Sequence, residues 1–156
     1  MGTEIERKFL VRLDRWRPSN VGTHFTQGYL SSTKERVVRV RIEGSQARLT
    51  IKGITLAMTR AEFEYAIPLE DARVLLSDLC ERPLIDKHRH LEVHGAHTWE
   101  VDVFHGDNEG LVIAEVELTA ESDVVDLPPW VGQEVTGDPR YFNSNLLTHP
   151  FSQWDR

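Results

Sequence analysis

Residues 36–54 read RVVRVRIEGSQARLTIKGI. Val38, Val40 and Ile42 alternate with Arg39, Arg41 and Glu43. After the turn residues Glu43-Gly44-Ser45-Gln46 the alternation resumes, with Arg48, Thr50 and Lys52 set against Leu49 and Ile51. A period of two is the side-chain repeat of a β-strand, and two such runs across a short glycine-containing turn form a hairpin. The same period extends outward in both directions. It predicts strands over 3–12, 24–33, 36–44, 47–54, 60–68, 84–94, 97–105 and 111–119, with further turn residues at His94-Gly95-Ala96 and at 106–110.

Three stretches depart from that period. Residues 69–81 place Leu69, Ala72, Leu75, Leu76, Leu79 and Cys80 at helical spacing, between Pro68 as a start and Pro83 as a stop. Short helices are expected near 120–126, before Pro128-Pro129, and over about 140–148, before Pro150. Eight strands mostly in hairpin succession, with few helices, argue for an antiparallel barrel or sandwich: an α+β chain that is mainly antiparallel β, in one domain over 1–156.

The chain has 156 residues, with 18 Lys and Arg against 25 Asp and Glu, a net charge of -7. A net acidic chain is a poor default partner for nucleic acid or any other polyanion. No apolar run approaches the roughly 18 residues a membrane helix needs, so no membrane partner is expected. The N-terminal string MGTEIERKFLVRL is charged from residue 4 on, which predicts no signal peptide. The single cysteine, Cys80, excludes an internal disulfide and fits a cytoplasmic location.

Strand parity sorts the charges. Glu4, Glu6 and Lys8 share one face of the first strand, with Arg7 out of pattern. Arg60, Glu62 and Glu64 oppose Ala61, Phe63 and Tyr65. Glu100 and Asp102 oppose Trp99, Val101 and Val103. Glu115 and Glu117 oppose Val112, Ala114, Val116 and Leu118. Lys87 and Arg89 share a face, and His88 and His90 take the opposite one. For any one strand, a solvated sheet face explains such alternation. Taken together, the polar faces are almost entirely charged and their cations are mostly Arg, the residue suited to planar contacts with phosphate or carboxylate. A barrel with a charged lumen and an apolar outer wall fits that pattern. Its carboxylates would hold hard divalent cations through oxygen, and its guanidinium and ammonium groups would neutralise phosphate. Such a lumen suits a metal-chelated polyphosphate. There is no glycine-rich phosphate loop, and the seven histidines show no zinc spacing. The apolar outer faces exceed what two or three short helices cover, which points to a homodimer.

Glu4-x-Glu6-x-Lys8 in EIERKFLV is followed in order by VRVRI, LTIKG, RAEFEY, DKHR, WEVDVF and AEVEL, and then by the tail GQEVTGDPRYFNSNLL. This series resembles the triphosphate tunnel metalloenzymes, also called CYTH domains, and it spans about residues 3–147. The resemblance implies an eight-stranded closed antiparallel tunnel with a few peripheral helices. It implies metal-dependent hydrolysis of a linear triphosphate, above all inorganic tripolyphosphate to pyrophosphate and phosphate, with two Mg2+ or Mn2+ ions per site. It implies Glu4, Glu6, Glu64, Asp102, Glu115 and Glu117 as metal ligands, with Glu62 as a ligand or its neighbour. Lys8, Arg39, Arg41, Lys52, Arg60, Lys87 and Arg89 would contact the triphosphate, and Tyr29 and Lys87 would assist catalysis. The same tunnel also suits a class IV-type adenylate cyclase, a thiamine or nucleoside triphosphatase, or a non-catalytic polyphosphate-binding module.

Overall fold

The computed structural model describes residues 2–155. Among the described residues nine strands form: β1 (Thr3–Val11), β2 (Thr23–Thr33), β3 (Arg36–Glu43), β4 (Gln46–Lys52), β5 (Thr59–Ile67), β6 (Ile85–His94), β7 (His97–Phe104), β8 (Val112–Glu117) and β9 (Val131–Glu134). The order β5-β4-β3-β2-β6-β7-β8-β1 closes on itself through β1 and β5, so the first eight strands make the expected antiparallel barrel. Closure leaves few free edges for another chain to pair with.

The seam between β1 and β5 is short. It consists of Thr3↔Ala61, Glu4↔Arg60 and Ile5↔Thr59. Beyond it, the edge of β1 is taken by β9, through Phe9↔Glu134 and Val11↔Val131. The sequence reading missed β9 because four residues, VGQE, are too few to show a period. This strand also explains Arg7. Its side chain points outward and makes two 2.9 Å hydrogen bonds to the Glu134 carboxylate.

One helical segment covers the outer wall. Helix α1 (Leu69–Val74) runs on into a wider turn over Leu75–Leu79, closed by the Cys80 amide on the Leu75 carbonyl five residues back. Ala72, Leu76 and Cys80 pack there on Val40 and Ala47. Gly28 permits the close approach, since a Cβ at that position would lie 2.9 Å from the Cys80 Cβ. Burying an aliphatic side chain such as Val40 stabilises by about 1.5–3 kcal/mol.

The other two expected helices do not form. Around 120–126 the Asp123 carboxylate takes the Thr119 and Ala120 amides and the Thr119 hydroxyl, a local turn that competes with helix and is not continued. Over 140–148 the chain makes two 3-10 turns, Pro139–Tyr141 and Asn143–Leu147, separated by Phe142 in an extended conformation. Tyr141, Leu146 and Leu147 bury against Tyr29, Ile85 and Phe104, so this segment packs onto one end of the barrel. A second apolar layer, with Trp99 packed on Phe9 and Trp130, covers the outside of β1, β7 and β8. Among the described residues no helix is long and apolar enough to cross a membrane.

Candidate active site

The strand order divides the lumen into two walls. Inward positions on β7, β8, β1 and β5, which are neighbours in the barrel, supply Glu100, Asp102, Glu115, Glu117, Glu4, Glu6, Glu62 and Glu64. Inward positions on β4, β3 and β6, grouped around β2 on the other side, supply Lys52, Arg39, Arg41, Lys87 and Arg89. Lys8 and Arg60 are the cations that stand on the acidic wall. A cavity of about 170 Å³ lies between the walls. Every expected site residue lines it except Asp102. Asp102 is buried one layer behind, with Arg89 on both carboxylate oxygens at 2.8 and 2.9 Å and Lys87 Nζ at 2.7 Å.

Burial of so many charges is tolerated where opposite charges meet. Lys8 lies 3.2 Å from Glu115, and Lys52 bridges Glu4 at 3.3 Å and Glu62 at 3.4 Å. Arg39 donates to Thr50 Oγ1 at 3.2 Å, and Thr50 in turn donates to Glu64 at 2.9 Å. Burial pushes Glu115 up, but Lys8 and Arg89 outweigh it and hold the group at about 2. Burial, helped by Arg89, pulls Lys87 down to about 8 despite Asp102.

The pairing is incomplete in two places, and each points to a ligand. Glu6 and Glu117 stand directly opposite each other on β1 and β8, and like charges in that position repel. Burial, together with Glu115 and Glu4, pushes Glu6 up to about 8, and burial and Glu4 raise Glu117 as well. On the facing wall, Arg39 Nε and Arg41 Nε are buried without a hydrogen-bond partner among the described residues. Burial, then Arg39 and Arg89, pull Arg41 down to about 10. One wall leaves two carboxyl groups, Glu6 and Glu117, short of cations, and the other leaves two guanidinium nitrogens without an acceptor among the described residues.

An all-carboxylate oxygen set suits a hard divalent ion, so Glu4, Glu6, Glu115 and Glu117 fit one chemically. Among the described residues no three such side chains already converge as a ready-made metal site. Glu4 and Glu115 are held instead by Lys52 and Lys8.

Three site residues escaped the sequence reading. The Phe25 ring lies 4.7 Å from the Arg41 guanidinium, 4.8 Å from that of Arg89 and 6.0 Å from Lys87 Nζ, a cation–π anchor for the basic wall. Gln27 and Asn143 form hydrogen bonds to Tyr29 and Lys87. Phe25 and Gln27 share parity with Tyr29, the one signal available for them; Asn143 lies on a 3-10 turn with no period to read.

Such a charged lumen in an eight-stranded antiparallel barrel defines a class, and the chain belongs to it: a family model described as the CYTH domain matches residues 2–147. The chain is 47% identical over 154 residues to an inorganic triphosphatase of Acetivibrio thermocellus, covering 99% of each protein. It is 32% identical over 148 residues to an inorganic triphosphatase of Nitrosomonas europaea, covering 92% of this chain and 96% of that one. A crystal structure of an inorganic triphosphatase superposes with a TM-score of 0.66 at 32% identity, covering 94% of this chain and 95% of the other.

Proposed function

We propose that this chain hydrolyses inorganic tripolyphosphate to pyrophosphate and phosphate, using Mg2+ or Mn2+, with two ions per site. Two complementary features carry the reading: among the described residues Glu6 and Glu117 face each other with no ion-pair partner on one wall, and Arg39 Nε and Arg41 Nε have no hydrogen-bond partner on the other. A metal–triphosphate complex satisfies both at once, whereas a simple anion leaves the carboxylates repelling. The 47% identity to a protein named inorganic triphosphatase supports the same substrate.

In this reading Glu4, Glu6, Glu115 and Glu117 hold the divalent ions, with Glu62 and Glu64 beside them. Bound metal supplies Lewis-acid polarisation of the phosphoryl oxygens and lowers the pKa of water. Arg39, Arg41, Lys52, Arg60 and Arg89 align the phosphate chain and absorb charge that develops as it cleaves. Water oxygen bonds to a terminal phosphorus as the bridging P–O bond breaks; the electron pair of that bond leaves with pyrophosphate, and the proton the water gives up passes to solvent. Lys87 Nζ, at about 8, carries a proton near neutral pH and can release it to the departing oxygen. Asp102 positions Lys87 and Arg89.

The chain works as a single cytoplasmic domain in this account. The exposed strip of Ile51, Phe63 and Tyr65 on the outer face of β4 and β5 supports pairing of two copies, which light scattering after size exclusion tests. A substrate panel of tripolyphosphate, ATP, GTP, thiamine triphosphate and long polyphosphate, each with Mg2+ and Mn2+, tests the substrate. The expected order places tripolyphosphate first. Formation of cyclic AMP and pyrophosphate from ATP would replace the hydrolase reading with a cyclase.

A further inference from the structure

At the cavity wall four side chains form one chain of hydrogen bonds. Lys87 Nζ donates to Asn143 Oδ1 at 2.8 Å. Gln27 Nε2 donates to that same oxygen at 3.1 Å, and also to the Tyr29 hydroxyl oxygen at 3.0 Å. Gln27 is fully buried, and Tyr29 and Lys87 are each 2% exposed. Tyr29, Lys87 and Asn143 line the cavity; Gln27 lies behind them.

The polarity of this chain follows from the ammonium group at its end. A protonated lysine only donates, so the Asn143 atom facing it is the carbonyl oxygen. The Gln27 atom on that oxygen must then be the amide nitrogen. Rotating the Gln27 amide would set two oxygens against each other at 3.1 Å and leave a buried NH2 in place of one buried oxygen, Gln27 Oε1, which has no hydrogen-bond partner among the described residues. With Gln27 as donor, the Tyr29 oxygen is the acceptor, and its own proton is directed elsewhere. Cross-strand pairing of Tyr29 with Arg39 and of Gln27 with Arg41 puts that hydroxyl on the basic wall.

We propose that Gln27 and Asn143 are positioning residues, which pass the fixed polarity of Lys87 to Tyr29 and so hold its hydroxyl proton ready for a phosphate oxygen in the cavity. This rests on the triphosphatase reading for the identity of the acceptor. It adds two uncharged residues, neither of which carries a charge to mark it in the sequence.

Gln27→Met keeps the length of the side chain and removes the donor. It is expected to lower kcat for tripolyphosphate by about tenfold, the worth of one oriented hydrogen bond, with KM within about twofold. In a Tyr29→Phe background the same substitution should cost less than about twofold more, because Gln27 acts through Tyr29. A merely structural role would make the two losses multiply. Unchanged kcat in Gln27→Met, or multiplying losses, would overturn the proposal. A neutron structure of the protein in heavy water tests it without turnover. It should show both amide deuterons of Gln27 on the atom between Asn143 and Tyr29, and the Tyr29 deuteron pointing away from Gln27. A Tyr29 deuteron directed at Gln27 would overturn the proposal whatever the substrate proves to be, whereas a protein inert toward tripolyphosphate but with the expected deuterons would count against the hydrolase reading alone.

Discussion

Arg89 grips Asp102 with two parallel hydrogen bonds, Nε to Oδ1 at 2.8 Å and Nη2 to Oδ2 at 2.9 Å, while Lys87 Nζ lies 2.7 Å from the second oxygen. Both cations pull the Asp102 carboxyl well below the usual range, overcoming a burial penalty that acts the other way. Removing one partner of such a buried group leaves the others uncompensated. Asp102→Asn is therefore expected to cost about 3–5 kcal/mol of stability, read from urea unfolding. A loss under about 1 kcal/mol, the range of surface pairs, would mean that Asp102 does not organise this wall.

The Glu6 carboxyl is shifted the other way, upward, and this predicts a pH dependence of stability. It is raised from about 4.5 to about 8, so the folded metal-free protein favours the protonated form. The stability tied to that proton is full below about 4.5 and is lost as pH rises through about 8. In chelator, the melting temperature should fall between roughly pH 5 and pH 8. Glu6→Gln should flatten that slope and melt higher than the parent at the alkaline end. An unchanged slope in the variant would clear Glu6 of responsibility.

Divalent ions should relieve the same repulsion. At about 100 times its Kd, a bound ion adds about 2.7 kcal/mol, so Mg2+ or Mn2+ should raise the melting temperature and a chelator should reverse the rise. Glu117→Ala should lose both this shift and metal-dependent turnover while remaining folded. A folded and fully active Glu117→Ala protein would remove Glu117 from the metal set.

Arg39 tests the basic wall separately. Its Nε has no hydrogen-bond partner among the described residues, and its Nη2 is held by Thr50. A charge-assisted hydrogen bond contributes about 1.5–3 kcal/mol, so Arg39→Ala should raise KM for tripolyphosphate by about 10–100-fold. An unchanged KM would place the phosphates elsewhere.

The barrel was legible because closed antiparallel strands carry their inside and outside in a strict period of two. Arg39 and Arg41 against Val38, Val40 and Ile42 already separate lumen from wall. The sorting of charge into two walls was not legible, because it depends on strand order: β1 lies between β8 and β5, which are far apart in sequence. Glu6 meets Glu117 only through that order. Asp102 shares the parity of a lumen residue, yet it sits behind Lys87 and Arg89, since parity gives the face but not the depth. Asn143 and β9 come from segments too short or too irregular for any period, and tertiary packing alone puts them in place.

The most direct test of the account is phosphorus NMR of tripolyphosphate incubated with the purified protein and Mg2+ or Mn2+. Pyrophosphate and phosphate should appear in equal amounts, with no turnover once the metal is chelated. A folded protein that leaves tripolyphosphate intact with both ions present would contradict it.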